Sequence, residues 1–390
     1  MSTWETNAPL PVLGDVLRAA AAGQDRGGGS VFELAAARLQ LPAARTWCVV
    51  LVDGLGWHNL TEAGSQAPFL TSALRAQDAA DAPSGRLGAT LPTSTATNLT
   101  YLGTGLGGGQ TGILGYTVRN PATGGLLNMI SWKGGADPRR WQACPTVFEQ
   151  MTEAGRLAVS VGPWQFEESG LTIAALRGAE YRPAQSLHQR IDAATSALRE
   201  PGVDLVYLYW GELDALGHRH GWKSPQWRQA LRELDDELQR LARLLPVGTG
   251  MLVTADHGMV DIPSTELSGM AGRLDAATHP DLSLGVDLIG GEPRFCHLYT
   301  REPEAVAGRW RDILGERAQV LTRAEAVAAD FFGPVAEHTE ELIGDVVVAA
   351  QGLVSIHDSG QQSAESLQLV GMHGSTTAAE QHVPLVVVHG

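Results

Sequence analysis

The sequence predicts an α/β fold with a mostly parallel central sheet covered on both faces. Two observations carry this. Short apolar runs rich in β-branched residues recur along the 390-residue chain, and stretches of helical period lie between several of them. The first run is Thr46 to Val52, closed by Asp53-Gly54. A continuous apolar run of that length reads as a strand buried on both faces. Leu157 to Val161, Val203 to Trp210, Gly250 to Thr254, Arg294 to Tyr299, Val346 to Ala349 and Val383 to Val388 read the same way. Arg190 to Arg199 and Pro225 to Leu245 are the intervening helices with the plainest spacing. Upstream, residues 12 to 40 read as two short helices around a break at Gly27, Gly28 and Gly29.

The segment Gly105 to Gly112 (GLGGGQTG) has the glycines of a phosphate loop. It lacks the Lys-Ser/Thr ending and follows no clear strand, so it is read as a flexible loop after a helix. Residues 116 to 145 are loop-rich and are expected to form a small cap inserted in one domain covering residues 1 to 390.

Hydrophobic residues make up 44% of the chain and charged residues 18%, an ordinary globular balance that argues against disorder. The net charge of −15 disfavours binding a nucleic-acid polymer through its phosphates. A small phosphate ester remains open, because bound cations would set the local field. Cys48, Cys144 and Cys296 are too few and too widely spaced for a disulfide framework or a cysteine-type zinc site. The N-terminal residues lack a basic start followed by an apolar core, and no run of about 18 apolar residues occurs. A cytoplasmic protein with no membrane association is expected.

Chemistry-bearing residues cluster just past the apolar runs, where open α/β sheets bind ligands. Asp53 follows the first strand directly. A turn Asp before Gly is the plain reading, a ligand at a strand's carboxyl end the functional one. In PTSTATN several hydroxyls precede a helix-like stretch, and Pro92 sets the entry. One of them is expected to cap the helix. A hydroxyl there also meets free N–H groups and partial positive charge, which stabilise an alkoxide and a phosphoryl oxygen. In GELDALGHRHG, Asp214 and His218 stand four apart, on one face of a helix and within reach of one ion. The alternative is a surface Asp–His pair. His220 lies off that face and reads as solvated. Asp256 and His257 end the run GMLVT, where a turn can bring both toward one ion. His373, between Met372 and Gly374, sits shortly before the last strand in a similar setting.

Taken together, these segments resemble the nucleotide pyrophosphatase/phosphodiesterase branch of the alkaline phosphatase superfamily. The shared order runs from Asp53 to His373: Asp-Gly, a Thr opening a helix, Asp-x-x-x-His, Asp-His-Gly, and a late His-Gly. The resemblance implies an alkaline-phosphatase-like three-layer sandwich and two zinc ions, for which manganese or iron are possible substitutes. One ion would be held by Asp53, Asp256 and His257, the other by Asp214, His218 and His373. Thr95 would face both and act as nucleophile through a phospho-threonine intermediate, because PTSTATN aligns with the family's Pro-Thr-x-Thr-Phe-Pro-Asn. Three carboxylates and three imidazoles are good zinc donors in their own right.

The pattern also departs from the family. The Phe that follows the nucleophile, and stacks a nucleobase, is Ala96 here, and the family's Asn-His is Asn98-Leu99. An Asn that supports a phosphoryl oxygen falls at about Tyr116. Asn98 and Tyr116 are therefore the candidate substrate contacts, and Trp57, Trp210 and Trp222 are candidate stacking surfaces. A phosphodiesterase or nucleotide pyrophosphatase acting on a small phosphate ester or nucleotide-like molecule is the expected activity. A phosphomonoesterase or phosphonate hydrolase is the alternative within the same chemistry. No arginine with motif support stands near Thr95 to grip a monoester's extra charge, and no cysteine has a sulfatase context. An inactive metal- or ligand-binding relative is the alternative from another class, and none of the six ligands is missing. A dinucleotide binder fails for want of Gly-x-Gly-x-x-Gly after the first strand.

Overall fold

A computed structural model describes residues 10–22, 30–79 and 85–389. The Gly27–Gly29 break lies outside the described residues, but the helices Val16–Ala21 and Val31–Arg38 flank it as expected.

Eleven strands carry the two main sheets. They are β1 (Thr46–Val52), β2 (Arg86–Gly88), β3 (Leu157–Gly162), β4 (Glu180–Pro183), β5 (Val203–Trp210), β6 (Thr249–Thr254), β7 (Leu288–Glu292), β8 (Phe295–Tyr299), β9 (Ala318–Thr322), β10 (Val346–Ala350) and β11 (His382–His389). The larger sheet has seven strands in the order β2-β11-β6-β1-β5-β3-β4. β1 pairs in parallel with β5 and β6, and β3 in parallel with β5 and β4, while β11 runs antiparallel to β6 and β2. Every residue of β1 and β6 is buried, which is why both read as unbroken apolar runs.

Helices cover the sheet in two groups that both reach β1. Pro68–Ala79, Leu187–Arg199 and Pro225–Leu244 form one; Val16–Ala21, Thr95–Thr104 and Val147–Glu153 belong to the other. The helix Pro225–Leu244 begins with Ser224 accepting from Trp227 N and Pro at its first position. It buries Trp227, Leu231, Leu234, Leu238 and Leu241, one stripe at helical spacing. Asp235, on the same helix, accepts from Phe69 N and Leu70 N at 2.9 Å and so satisfies the start of Pro68–Ala79.

β8 and β10 were expected in the parallel sheet. They belong instead to a second, antiparallel sheet in the order β7-β8-β10-β9. For β8 the reason is connection length: only Pro293-Arg294 joins β7 to β8, enough for a hairpin and far too short for a parallel crossover. The helix Pro303–Leu314 packs on this sheet, with Trp310 in a core of its own. Residues 116–145 hold a short hairpin, Thr117–Arg119 with Leu126–Asn128. It is pinned to the second sheet by Thr117 Oγ1 donating to Gly291 O (3.0 Å) and Arg119 N donating to Tyr299 Oη (2.9 Å). The glycine loop is not loose: it contains the short helix Gly108–Thr111, and Gly109 N donates to Phe332 O at 2.9 Å.

Candidate metal centre and nucleophile

Three neighbouring parallel strands end at the same level. Leu51 lies opposite Thr254 and Val52 opposite Trp210, so the segments leaving β1, β5 and β6 converge on one edge of the sheet. Asp53 comes directly after β1, Asp214 lies in the first turn of the helix Glu212–His220 after β5, and Asp256-His257 follow β6. Gly54, at φ 73°, makes the approach possible: a Cβ there would stand 3.0 Å from Asp214 Cβ and Oδ1.

The other two pieces are tied to each other. Thr95 opens the helix Thr95–Thr104. His373 follows the short strand Gly371–Met372, and its Nδ1 meets Thr93 O at 2.7 Å. Thr93 Oγ1 donates to Ser375 O (2.9 Å) and accepts from Gly374 N (3.0 Å), so the turn before Thr95 and the loop after His373 form one unit.

The geometry gathers all seven expected residues. Asp214, His218 and His373 form one group that could hold a metal ion, and Asp53, Asp214 and His257 form another, each with donor atoms within 4.8 Å of one another. Asp214 thus stands between the two. Asp256 sits at the side: its Oδ1 accepts from Gly54 N (3.1 Å) and His257 N (3.0 Å), while Oδ2 lies 3.5 Å from His257 Nε2. Thr95 Oγ1 lies 3.1 Å from His257 Nε2 and 3.5 Å from Asp53 Oδ1.

The hydrogen bonding fits cations at this place. Each imidazole Nδ1 faces a backbone carbonyl: His218 that of Gly371 (2.7 Å), His373 that of Thr93 (2.7 Å), His257 that of Gly258 (3.0 Å). A carbonyl only accepts, so Nδ1 carries the hydrogen and Nε2 of the neutral ring presents a lone pair. The Nε2 atoms of His218 and His373 then face each other at 3.2 Å, an arrangement that repels unless a cation lies between. Burial, with His257 and His218 beside it, pushes His373 well below the usual histidine range, which keeps it neutral. Burial also drives Asp53 well above the usual carboxylate range, helped by Asp256 and Asp214, and burial raises Asp256. Asp214 Oδ1 and Asp256 Oδ2 are buried with no hydrogen-bond partner. Three crowded carboxylates, two of them with an unspent oxygen, need positive charge to ionise together.

A cavity of about 680 Å³ opens over these groups, lined by Asp53, Ser94, Thr95, Asp214, His218 and His373 among others. Tyr116 is on its wall and half exposed. Asn98 does not serve as a substrate contact. It is fully buried, its Oδ1 accepts from Thr90 N, and its Nδ2 hydrogens point at the carbonyls of Thr90, Pro92 and Ser94. Trp57, Trp210 and Trp222 are not among the lining residues; Trp210 instead carries the Arg190 guanidinium over its ring at 4.7 Å. The expected hydroxyl cap is also missing, for the N-cap Ser94 makes no side-chain cap bond.

Two residues were not anticipated. Tyr209 Oη donates to Asp53 Oδ2 at 2.6 Å and fixes that carboxylate. A Tyr near the end of the apolar run VDLVYLYW was the available signal, since a hydroxyl at the end of a buried strand needs a partner. Glu292 lines the cavity at the end of β7, and no motif pointed to it.

Comparison with known proteins places the chain. Residues 47–376 match the family described as type I phosphodiesterase / nucleotide pyrophosphatase. The bovine (Bos taurus) bis(5'-adenosyl)-triphosphatase ENPP4 is 30% identical over 112 residues, covering 27% of this chain and 25% of the relative. Human (Homo sapiens) ectonucleotide pyrophosphatase/phosphodiesterase family member 7 is 33% identical over 87 residues, covering 21% and 19%. The alignments thus span a quarter or less of these relatives' length. Murine ectonucleotide pyrophosphatase/phosphodiesterase 5 shares the fold at TM-score 0.68 and 17% identity, over 88% of both chains. A phosphonoacetate hydrolase from Sinorhizobium meliloti, in complex with phosphonoformate, does so at TM-score 0.66 and 20% identity, over 89% of this chain and 91% of the other. The fold is therefore the alkaline-phosphatase-like sandwich, and the chain, matched over most of its length, belongs to the type I phosphodiesterase / nucleotide pyrophosphatase family.

Proposed function

We propose that this chain is a two-metal phosphoric ester hydrolase of the phosphodiesterase / nucleotide pyrophosphatase type, with Thr95 as its nucleophile. The observation that carries the proposal is the position of Thr95 Oγ1, 3.1 Å from His257 Nε2 and 3.5 Å from Asp53 Oδ1 on the wall of the cavity. Asp214, His218 and His373 would hold one divalent cation and Asp53, Asp256 and His257 the other, supplying Lewis-acid activation of the hydroxyl and charge neutralisation at phosphorus. The donor set suits zinc, and manganese or iron would tolerate it.

The chain's own groups support the chemistry. His257 Nδ1 is committed to Gly258 O, so the Nε2 lone pair that would hold a cation is turned toward Thr95 Oγ1. Thr95 stands at the start of a ten-residue helix whose first-turn N–H groups no side chain caps, so they favour anionic phosphoryl oxygens. Thr95 oxygen would bond to phosphorus as the alcohol leaves, and water would then cleave the phospho-threonine and restore the hydroxyl. Tyr209 holds the Asp53 carboxylate in place throughout.

The substrate is proposed to be a small phosphate diester or nucleotide-like ester, and the net charge of −15 speaks against a nucleic-acid polymer. One catalytic unit along the chain is supported by a hydrophobic core that runs from Leu13 to Val386 and includes Phe295 and Val347 of the second sheet. A cytoplasmic location is supported by three unpaired cysteines. Among the described residues, no helix is long and apolar enough to cross a membrane.

The test is a parallel rate comparison of bis-(p-nitrophenyl) phosphate, p-nitrophenyl phosphate and the thymidine 5′-monophosphate p-nitrophenyl ester, with Thr95→Ala as control. Diester hydrolysis that Thr95→Ala abolishes, with metal content unchanged, is the expected result. A strong monoester preference overturns the diesterase reading, and full activity of Thr95→Ala overturns the nucleophile.

A further inference from the structure

Beside Thr95 and the metal-ligating groups, the cavity is lined by Leu126, Ile130, Ile289 and Leu369, each only partly buried and so open to a ligand. They come from three separate places: the hairpin and the turn after it, β7, and the segment before Gly371–Met372. In the hairpin, Leu126 and Asn128 stand two apart and both line the cavity, while Leu127 between them is fully buried. Three converging segments thus build an aliphatic wall next to the reacting groups.

Among the described residues that line this cavity, none is lysine or arginine. The arginines that adjoin it are spent elsewhere. Arg119 pairs with Leu126 across the hairpin, but its guanidinium lies 4.5 Å from the Tyr299 ring centroid and reaches Glu341 O at 3.5 Å. Arg273 donates to the carbonyls of Leu367 and Leu369, and Arg294 is held by Glu380 at 2.7 Å. Asp358, also on the wall, accepts from Gly360 N (3.0 Å) and from the Gln361 amide. With the two cations engaged on the scissile phosphate, a second anionic group would meet aliphatic side chains and a carboxylate, and would lose hydration with no counter-charge in return. Neutral polar atoms fare better. Asn128 Oδ1 accepts from Ile130 N (3.0 Å) and Ser131 N (2.8 Å), and Gln362 Oε1 from Asp358 N (3.1 Å), which leaves both amide NH2 groups free to donate.

We propose that this cavity selects phosphodiesters whose organic group beyond the scissile phosphate is apolar and uncharged, an alkyl or aryl alcohol with neutral acceptors at most, and rejects those carrying a second phosphate. This rests on the reading of the site as a metal-dependent phosphodiesterase. Selection comes from both sides: the wall favours apolar surface, and the want of any cationic side chain penalises a further anion.

The test measures kcat/KM of the full, metal-loaded chain on two matched pairs of p-nitrophenyl esters. One pair is methyl and n-hexyl p-nitrophenyl phosphate. The other is the thymidine 5′-monophosphate p-nitrophenyl ester with and without a further 3′-phosphate. The scissile bond and leaving group are the same in all four. The expected results are a gain of at least about tenfold from methyl to hexyl and a loss of at least about tenfold on adding the 3′-phosphate. A smaller gain overturns the apolar wall, and a smaller loss overturns the exclusion of a second phosphate. Leu126→Lys, which places a cation on the wall, is expected to shrink both ratios by at least about threefold. Unmoved ratios in a folded, metal-loaded Leu126→Lys overturn the assignment to this wall. Should Leu126→Lys not fold, the two wild-type ratios decide alone. Hydrolysis of none of the four esters overturns the underlying reading and this inference with it. Hydrolysis with the ratios absent overturns this inference only.

Discussion

Replacing Glu380 by Gln removes one charge from the middle of the protein and nothing from its shape. Glu380 and Arg294 are both fully buried, 86 residues apart in sequence. Oε1 accepts from Arg294 Nε (2.7 Å) and Ser375 N (2.9 Å), and Oε2 from Arg294 Nη2 (2.7 Å) and the Thr377 hydroxyl. The Glu380 backbone carbonyl accepts from Gly258 N at 2.8 Å. The pair therefore anchors the residues just after His257 and just after His373. Removing one partner leaves an uncompensated guanidinium in the interior, which costs about 3–5 kcal/mol. At about 2.1 cal/mol/K per residue, unfolding 390 residues carries roughly 0.8 kcal/mol/K of entropy, so the midpoint falls by about 4–6 °C. The double replacement Arg294→Met with Glu380→Leu removes both charges and recovers most of that loss. Thermal unfolding of wild type, both single variants and the double, at one fixed metal concentration, reads this directly. A shift under about 1 °C for Glu380→Gln, or a double variant no better than the worse single, would refute the reasoning.

Three further outcomes are expected. Tyr209→Phe deletes the 2.6 Å bond to Asp53 and weakens metal retention against a chelator by about 10- to 100-fold; unchanged retention would show that Asp53 needs no such support. Stripping the metals with EDTA lowers the unfolding midpoint by about 10 °C, since two sites saturated at about a thousand times Kd add roughly 8 kcal/mol. An unaltered midpoint contradicts the donor cluster. Glu292 sets a pH dependence: its carboxyl sits at about 8 when folded against 4.5 as the reference value. Between those values the folded chain holds a proton the unfolded chain has released, so stability from this group is complete below about 4.5 and falls as pH rises to 8. Glu292→Gln escapes the loss, and its midpoint advantage over wild type grows from pH 5 to pH 8 by a few degrees; a constant difference would show that the group ionises normally.

Much of the site was legible because its residues follow unbroken apolar strands. Asp53 after β1 and Asp256-His257 after β6 stand out for breaking such runs, and the four-residue spacing of Asp214 and His218 carries its own geometric meaning. Choosing Thr95 over Thr93 and Ser94 needed the family's order, since three adjacent hydroxyls look alike in sequence. The features that escaped depend on contacts between distant segments. Tyr209 reads as one more core aromatic until its hydroxyl is seen on Asp53. Glu292, before a Pro in a hairpin turn, looks like a solvated acid, and only the fold puts it against Ser94 and the cavity. Asn98 failed in the opposite direction: the aligned position suggested a substrate contact, but composition does not reveal which way a carboxamide points. β2 and β4 were missed because three- and four-residue edge strands leave no apolar run. β8 and β10 were read as strands but given to the wrong sheet, since pairing partners are not a property of the run itself: for β8 a two-residue connection decides, and β10 then pairs with it.

The most direct test of the paired cation site is anomalous diffraction at the zinc edge from crystals of the zinc-loaded protein. Two peaks roughly 4 Å apart are predicted, one against Asp214, His218 and His373, the other against Asp53 and His257, both beside the Thr95 hydroxyl. A single peak, or density away from these side chains, would contradict it.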